Sequence, residues 1–384
     1  MADRRIPVIR TKAIQISSPG FTRKGIFGLS APKTPSQLNR ILVIRFGRLG
    51  DVVLLTPALH ALRLGFPAAR IDVLVDERYS PILSMCPAVS RVIPINRLNM
   101  RDGSKLRACW NILQLASALR SELYDLVLDC HSFRETHLLT WYSQAGRRLG
   151  LKRAYSTYLP FCFNMNPVLE DESLHVSDLF LSMLRPLGID PSSTVPELKV
   201  PADEVAKAQD FLRGHRISGE TLLVGLNVGA GSLSRTWPAE RFARLAARIL
   251  DYRTAARIVV FSPPGVDPLG GQLFARLKSD KILLAPILPL MEFAAMMSRC
   301  SLLVSNDTGP MHLGAAVGAP TLGLFSAGRP DQYRPLGTQC RWVRRVPIEE
   351  LEVEEVWALV SGMLESIESG RAAQGRLYAG WQRS

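Results

Sequence analysis

Short runs of β-branched and apolar residues recur along this chain, each followed by a longer stretch with helical spacing, and the whole pattern occurs twice. The first series is ILVIRFG from Ile41, IDVLVD from Ile71, RVIPI from Arg91 and YDLVLDC from Tyr124. The second is TLLVGLNVG from Thr221, ARIVVFS from Ala256, KILLA from Lys281, SLLVSND from Ser301 and PTLGLFS from Pro320. Strands that are apolar without alternation are buried on both faces, which suits a parallel sheet covered by helices. TPALHALRLGF from Thr56 and ACWNILQLASALRSELY from Ala108 supply such helices, giving right-handed βαβ units. Between the series, GIDPSSTVPELKVPADE is rich in Pro, Ser and acids and reads as a linker. The expected class is α/β: two Rossmann-like, doubly wound parallel-sheet domains over 39–200 and 201–370, with a cleft between them. An arm, 1–38, precedes them and a tail, 371–384, follows. The last helical pattern, from Pro347, is acidic on one side and apolar on the other, as expected of an outer helix.

Charge narrows the partners. Lys and Arg number 47 against 34 Asp and Glu, a net +13 that favours polyanions: nucleic acid, anionic membrane or phosphorylated substrates. Residues 1–40, the arm and the two residues after it, hold eight cations against Asp3 alone. The arm has no long apolar run, so it reads as a poorly ordered basic segment rather than a membrane span or signal peptide. Its sharper reading is a surface anchor, with Ile6, Phe21 and Phe27 meeting lipid while the cations meet head groups. Deleting it is expected to weaken membrane association and spare donor binding. Aromatic residues are only 7% and no basic-aromatic motif occurs, which argues against nucleic acid. The six cysteines are far apart with no zinc spacing, as in small core side chains of a reducing compartment.

Ligands of doubly wound sheets sit beyond the carboxyl ends of the strands, and three stretches there carry chemistry. In RFGRLGD, Gly47 and Gly50 permit a sharp turn, and Asp51 stands at a helix start where the dipole favours a carboxylate. Asp51 is either an N-cap or a general base, with Arg45 and Arg48 beside it to attract an anionic acceptor. In NVGAGSLSRTWPAERF, Gly229 and Gly231 loosen the backbone, Ser232 and Ser234 offer hydroxyls, and Arg235 offers a planar cation suited to phosphate oxygens. In SNDTGPMHLGAAVGAP, Asp307 and Thr308 end a strand and Gly309-Pro310 opens a helix whose positive end faces a ligand. His312 lies in its first turn, and Gly314, Ala315 and Ala316 allow close packing on the sheet. Each residue alone is also explained by capping or core packing; the set is not.

DCHSFRETH brings Cys130, His131 and His137 to another strand end at spacings that match no standard metal site. Asp129, His131, Ser132 and Arg134 there suit acceptor contacts. The chain contains no Asp-x-Asp, no G-x-S-x-G, no P-loop, and "GRLG" in place of a G-x-G-x-x-G fingerprint.

With the three stretches in this order, the sequence resembles the family 9 glycosyltransferases, the group of ADP-heptose:lipopolysaccharide heptosyltransferases, from about Arg40 to Leu364. The resemblance implies a GT-B fold with an N-terminal acceptor domain and a C-terminal nucleotide-sugar domain, and an inverting transfer that uses no metal or other cofactor. It implies that Asp51 is the base and that Arg235 replaces a family Lys on the diphosphate, keeping the charge with a different geometry. It places Asp307, Thr308, Gly309 and His312 around the diphosphate and sugar. The family's nucleoside-contacting acid has no firm counterpart; Asp267 is the one nearby carboxylate. The expected activity is transfer of heptose or a related sugar from an ADP-type donor, ADP-heptose above all, to a phosphorylated glycolipid acceptor. The expected setting is peripheral, at the cytoplasmic face of an anionic membrane. Rival readings are a GT-B-like nucleotide-sugar epimerase and a non-catalytic nucleotide- or lipid-binding module.

Overall fold

The computed structural model describes residues 38–96, 105–190, 193–262 and 279–381. The basic arm, up to residue 37, and Asp267 therefore lie outside the described residues. The chain divides into two compact units. The first takes the residues up to Gly47, Pro57–Asp171 and Asp178–Ser193; the second takes Arg48–Thr56, Glu172–Ser177 and everything from Thr194.

The first unit carries β1 (Arg40–Arg45), β2 (Arg70–Asp76), β3 (Arg91–Ile95), β4 (Leu126–Asp129), β5 (Arg147–Lys152) and β6 (Val168–Leu169). They form one sheet in the order β3-β2-β1-β4-β5-β6, with parallel pairing throughout. The second carries β7 (Leu223–Asn227), β8 (Arg257–Phe261), β9 (Ile282–Leu284), β10 (Leu302–Asn306), β11 (Thr321–Phe325) and β12 (Arg341–Arg344). Its order, β12-β11-β10-β7-β8-β9, repeats the same winding. Each sheet thus reverses direction once, between β1 and β4 and between β7 and β10. At such a switch point adjacent crossovers leave on opposite faces and open a crevice at the carboxyl edge.

The apolar runs form strands because helices cover both sheet faces. Ile41, Leu42, Ile44, Ile71, Val73, Leu74, Val224 and Leu226 have no exposed surface. Helix Ala239–Tyr252 buries Phe242, Leu245, Ala246 and Ile249, which share one helical stripe. Trp237, just before it, is fully buried, stacks edge-on against Phe242 at 4.8 Å and donates its indole N–H to Leu351 O at 2.8 Å. Replacing Phe242 by Ala leaves a cavity that costs about 3–5 kcal/mol. Gly314 lets helix Gly309–Ala316 lie against β10, since a Cβ there would overlap the Leu303 side chain.

Several local expectations shift. Helix Leu49–Gly65 starts seven residues before Thr56 and keeps Pro57 inside, because Val52 already donates to Arg48 O at 3.1 Å. Pro238 is an N-cap, Pro310 is the second helical residue rather than the first, and the last helix is Val353–Trp381, preceded by a separate turn at Ile348–Glu350. The sequence reading contains no β5, β6 or β12. In β5, RRLGLK, the arginines disguise a strand: Arg148 sends its guanidinium to Cys162 O (3.0 Å) and Ala145 O (2.7 Å), and its backbone N–H to Asn164 Oδ1 (2.7 Å). Among the described cysteines, Cys86, Cys130, Cys162 and Cys300 are buried thiols.

Candidate active site

In the second unit the switch point is built by two asparagines that end neighbouring strands. Asn306 closes β10, and its side chain accepts from Trp237 N at 3.0 Å while donating to Val228 O at 3.0 Å. Asn227 closes β7 and donates to Ser305 Oγ at 2.9 Å and Thr308 Oγ1 at 3.2 Å. Gly229 O lies 3.4 Å from both amides. The loop after β7 is therefore fastened to the strand that delivers Asp307 and Thr308. Ser232, Ser234 and Arg235 follow: the two hydroxyls are 3.2 Å apart, and Arg235 Nε reaches Ser232 Oγ at 3.4 Å.

Arg235 Nη1 faces Asp307 Oδ2 at 3.6 Å, an ion pair too long for a tight hydrogen bond. Burial holds the Asp307 carboxyl above its ordinary range, against the opposing pull of Arg235. A Cβ on Gly328 would overlap Asp307 Oδ2, so the carboxylate sits in a space that only glycine leaves open. The guanidinium, about one-third exposed, keeps further N–H donors for an anion.

Helix Gly309–Ala316 begins without a side-chain cap. Thr308 occupies the N-cap position in extended backbone, φ −148° and ψ 169°, yet its hydroxyl donates to Asn306 O at 3.3 Å. Thr308 therefore does not cap, and the first-turn amides retain their positive potential. A second helix start meets this one. A Cβ on Gly309 would stand 2.7 Å from Leu49 Cβ, and one on Gly50 would stand 2.8 Å from His312 Cδ2. The first turn of helix Leu49–Gly65, which groups with the second unit, is thus packed nose to nose against the first turn of Gly309–Ala316. Two helix starts thus meet on one spot, with Arg48 exposed beside them.

Asp51 is the third residue of helix Leu49–Gly65, not its N-cap, and its Oδ2 accepts from Arg48 N at 2.9 Å. One carboxylate oxygen is held in the manner of a capping box, which fixes the rotamer. His312 is buried; burial, helped by His175 and resisted by Asp51, pushes it down to about 4, so it is neutral at neutral pH. Its Nδ1 is buried without a hydrogen-bond partner. His175 accepts from Ser177 N at 3.2 Å through Nδ1 and therefore donates from Nε2 to Arg334 O at 3.0 Å. Ser177 donates to Leu54 O at 3.0 Å, so segment Glu172–Ser177 straps the Asp51 helix turn to the loop after β11.

The remaining candidates belong to the first unit, at its own switch point. Arg45 ends β1, is buried, lies 4.9 Å over the Phe180 ring and donates to Cys130 O at 3.0 Å, bridging β1 to the residue after β4. His131 is buried edge-on between Phe46 (5.2 Å) and Phe133 (4.5 Å). Asp129 accepts from His131 N (3.0 Å) and Ser132 N (2.9 Å), which holds Ser132 at φ 62°. Burial raises the Asp129 carboxyl to about 6. Arg134 opens helix Arg134–Tyr142 and is exposed.

The set Arg48, Asp51, Gly229, Ser232, Ser234, Arg235, Asp307, Thr308, Gly309 and His312 thus falls within the second unit, while Arg45, His131 and Arg134 fall in the first. Sequence reasoning passed over Asn227, Asn306, His175 and Gly328. A polar residue closing a buried, largely apolar strand was the signal for both asparagines. Nothing local marks His175 or Gly328, whose partners lie far along the chain.

Twin doubly wound sheets, each with polar groups gathered at its switch point, define the architecture of the GT-B glycosyltransferases. Residues 112–355 match glycosyltransferase family 9 (heptosyltransferase), and the chain belongs to that family. It is 23% identical over 327 residues to lipooligosaccharide heptosyltransferase 2 of Haemophilus influenzae, covering 82% of this chain and 91% of that protein. The fold is shared with a family 9 glycosyl transferase of Veillonella parvula (TM-score 0.76, 24% identity, 88% of this chain and 100% of that one). It is also shared with the ADP-heptose LPS heptosyltransferase II of E. coli (TM-score 0.70, 22% identity, 86% and 99%). No described helix is long and apolar enough to cross a membrane.

Proposed function

We propose that this glycosyltransferase moves a heptose from an ADP-linked donor to a lipopolysaccharide-type acceptor, with inversion and without a metal, at the cytoplasmic face of an anionic membrane. Asp51 removes the proton of the acceptor hydroxyl. The resulting oxygen bonds to the anomeric carbon from the side opposite the diphosphate, and the carbon–oxygen bond to the diphosphate breaks. ADP leaves with the electron pair, and a single displacement inverts the centre. The charge that develops on the leaving group is met by Arg235 and by the first-turn amides of helix Gly309–Ala316, preorganised donors of the kind that stabilise transition states most. Neutral His312 positions the donor as a hydrogen-bonding group rather than as a cation. Ser232, Ser234 and Thr308 hold phosphate and sugar oxygens, and Arg45, Arg48, His131 and Arg134 serve the phosphorylated acceptor. The net +13 fits such an acceptor on an anionic bilayer.

The observation that carries this reading is the meeting of the uncapped start of helix Gly309–Ala316 with the helix start at Gly50, one residue from Asp51. The family's members named above add the donor: one is an ADP-heptose enzyme. Calorimetry with a panel of ADP-, UDP- and GDP-sugars tests it. ADP-heptose is expected to bind most tightly; binding confined to UDP-sugars would overturn the donor assignment. Incubation with donor alone separates transfer from epimerisation, because an epimerase converts donor without any acceptor.

A further inference from the structure

We infer that the exposed apolar face on helix Arg134–Tyr142 of the first unit is a bilayer-docking surface for anionic lipid. The inference rests on the reading that the acceptor is a membrane glycolipid, and it names the surface that reaches it.

Helix Arg134–Tyr142 buries Thr136, His137, Leu139 and Thr140 and turns Arg134, Leu138 and Trp141 outward, at i, i+4 and i+7. An outer helical face is ordinarily polar, yet Leu138 is 48% and Trp141 43% exposed. Phe161, 62% exposed, packs edge-on against Trp141 at 6.5 Å, and Phe133 stands exposed at the helix start. Helix Lys105–Ser121 packs alongside, with Arg120 in its last turn 5.4 Å over the ring of Tyr142. Trp110 and Leu113 of the same helix are exposed as well. Leu138, Trp141 and Phe161, with Phe133 at the helix start, thus leave apolar surface exposed, of the kind that marks an interaction site.

Its border identifies the occupant. Arg134 shares the helical face of Leu138 and Trp141, and the exposed Arg120 stands over Tyr142 at the other end of the helix, against Glu135. Trp and Phe side chains fringed by Arg match the head-group region, where rings lie at the boundary and cations meet anionic phosphates. Arg134 and His131 follow the carboxyl end of β4, so lipid held on this face lies beside the residues assigned to the acceptor.

The test is co-sedimentation of the full chain with vesicles of phosphatidylethanolamine and phosphatidylglycerol, and with vesicles of phosphatidylcholine alone. The wild type is expected on the anionic vesicles, and Leu138→Ser with Trp141→Ser to partition about tenfold less, given the apolar area removed. Both substitutions are on the surface, so circular dichroism should be unchanged, and transfer to a short lipid-free acceptor should persist. Equal binding by wild type and variant would overturn the docking face while leaving the membrane reading intact. Binding by neither would sink the membrane reading and the docking face together. If the variant binds vesicles normally but a wild-type dimer dissociates in sedimentation velocity, the face belongs to a second copy of the chain.

Discussion

Gly50 and His312 are in direct apposition: a methyl group on Gly50 would stand 2.8 Å from Cδ2 of the imidazole. The two residues open helices far apart in sequence, and the missing side chain of one makes room for the buried ring of the other. Gly50→Ala sets two effects against each other. The helix gains about 1 kcal/mol in propensity, while forcing a methyl into a packed contact costs about 1–3 kcal/mol. Stability should therefore change little, and the displaced ring should weaken donor binding by roughly tenfold, the worth of one lost hydrogen bond. Thermal unfolding and donor calorimetry on the same variant check this; unchanged donor affinity would show that His312 does not touch the donor.

Gly328 guards the Asp307 carboxylate in the same way. Gly328→Ala should push Asp307 off its seat and break its 3.6 Å ion pair with Arg235. Arg235 then loses the partner that orients it, and donor affinity should fall by about tenfold or more, within the range of a charged hydrogen bond. Arg235→Ala serves as the reference: if Gly328→Ala binds donor like the wild type, the pairing with Asp307 does not orient the guanidinium.

His312 predicts a pH dependence. Its folded value is pushed down to about 4 from an ordinary 6.5, so the unfolded chain takes up a proton that the folded chain refuses. Stability is therefore lost as pH falls from 6.5 toward 4, by about 2 kcal/mol between pH 7 and pH 5 for this group alone. Asp129, raised to about 6, acts in the opposite sense over an overlapping window, because its folded form holds a proton that the unfolded form releases. The difference between wild type and His312→Gln isolates the histidine. Denaturant unfolding at pH 7 and pH 5 should show the variant losing less stability on acidification; equal losses would contradict a buried neutral His312.

Most of the strands were legible in the sequence because each depends on local pattern. Nine apolar runs predict strands, and β-strands lie on all of them, since a sheet covered on both faces favours apolar residues at successive positions. Of the strands that escaped, β6 and β12 are edge elements, the first of two residues and the second largely exposed, while the interior β5 is disguised by its arginines. The contact of Leu49 and Gly50 with Gly309 and His312 had no local trace, because some 260 residues separate the partners. For the same reason the segments Arg48–Thr56 and Glu172–Ser177 gave no sign that they group with the second unit.

Asp51→Asn is the most direct measurement of the central claim. The amide oxygen can still accept from Arg48 N, so the helix start and the side-chain position are preserved and only the basicity is removed. A general base contributes about 10²–10⁴ in rate, so kcat for transfer from ADP-heptose should fall at least a hundredfold while the donor dissociation constant stays within a fewfold. A variant that binds donor normally and transfers sugar at the wild-type rate would contradict the assignment of Asp51 as the base.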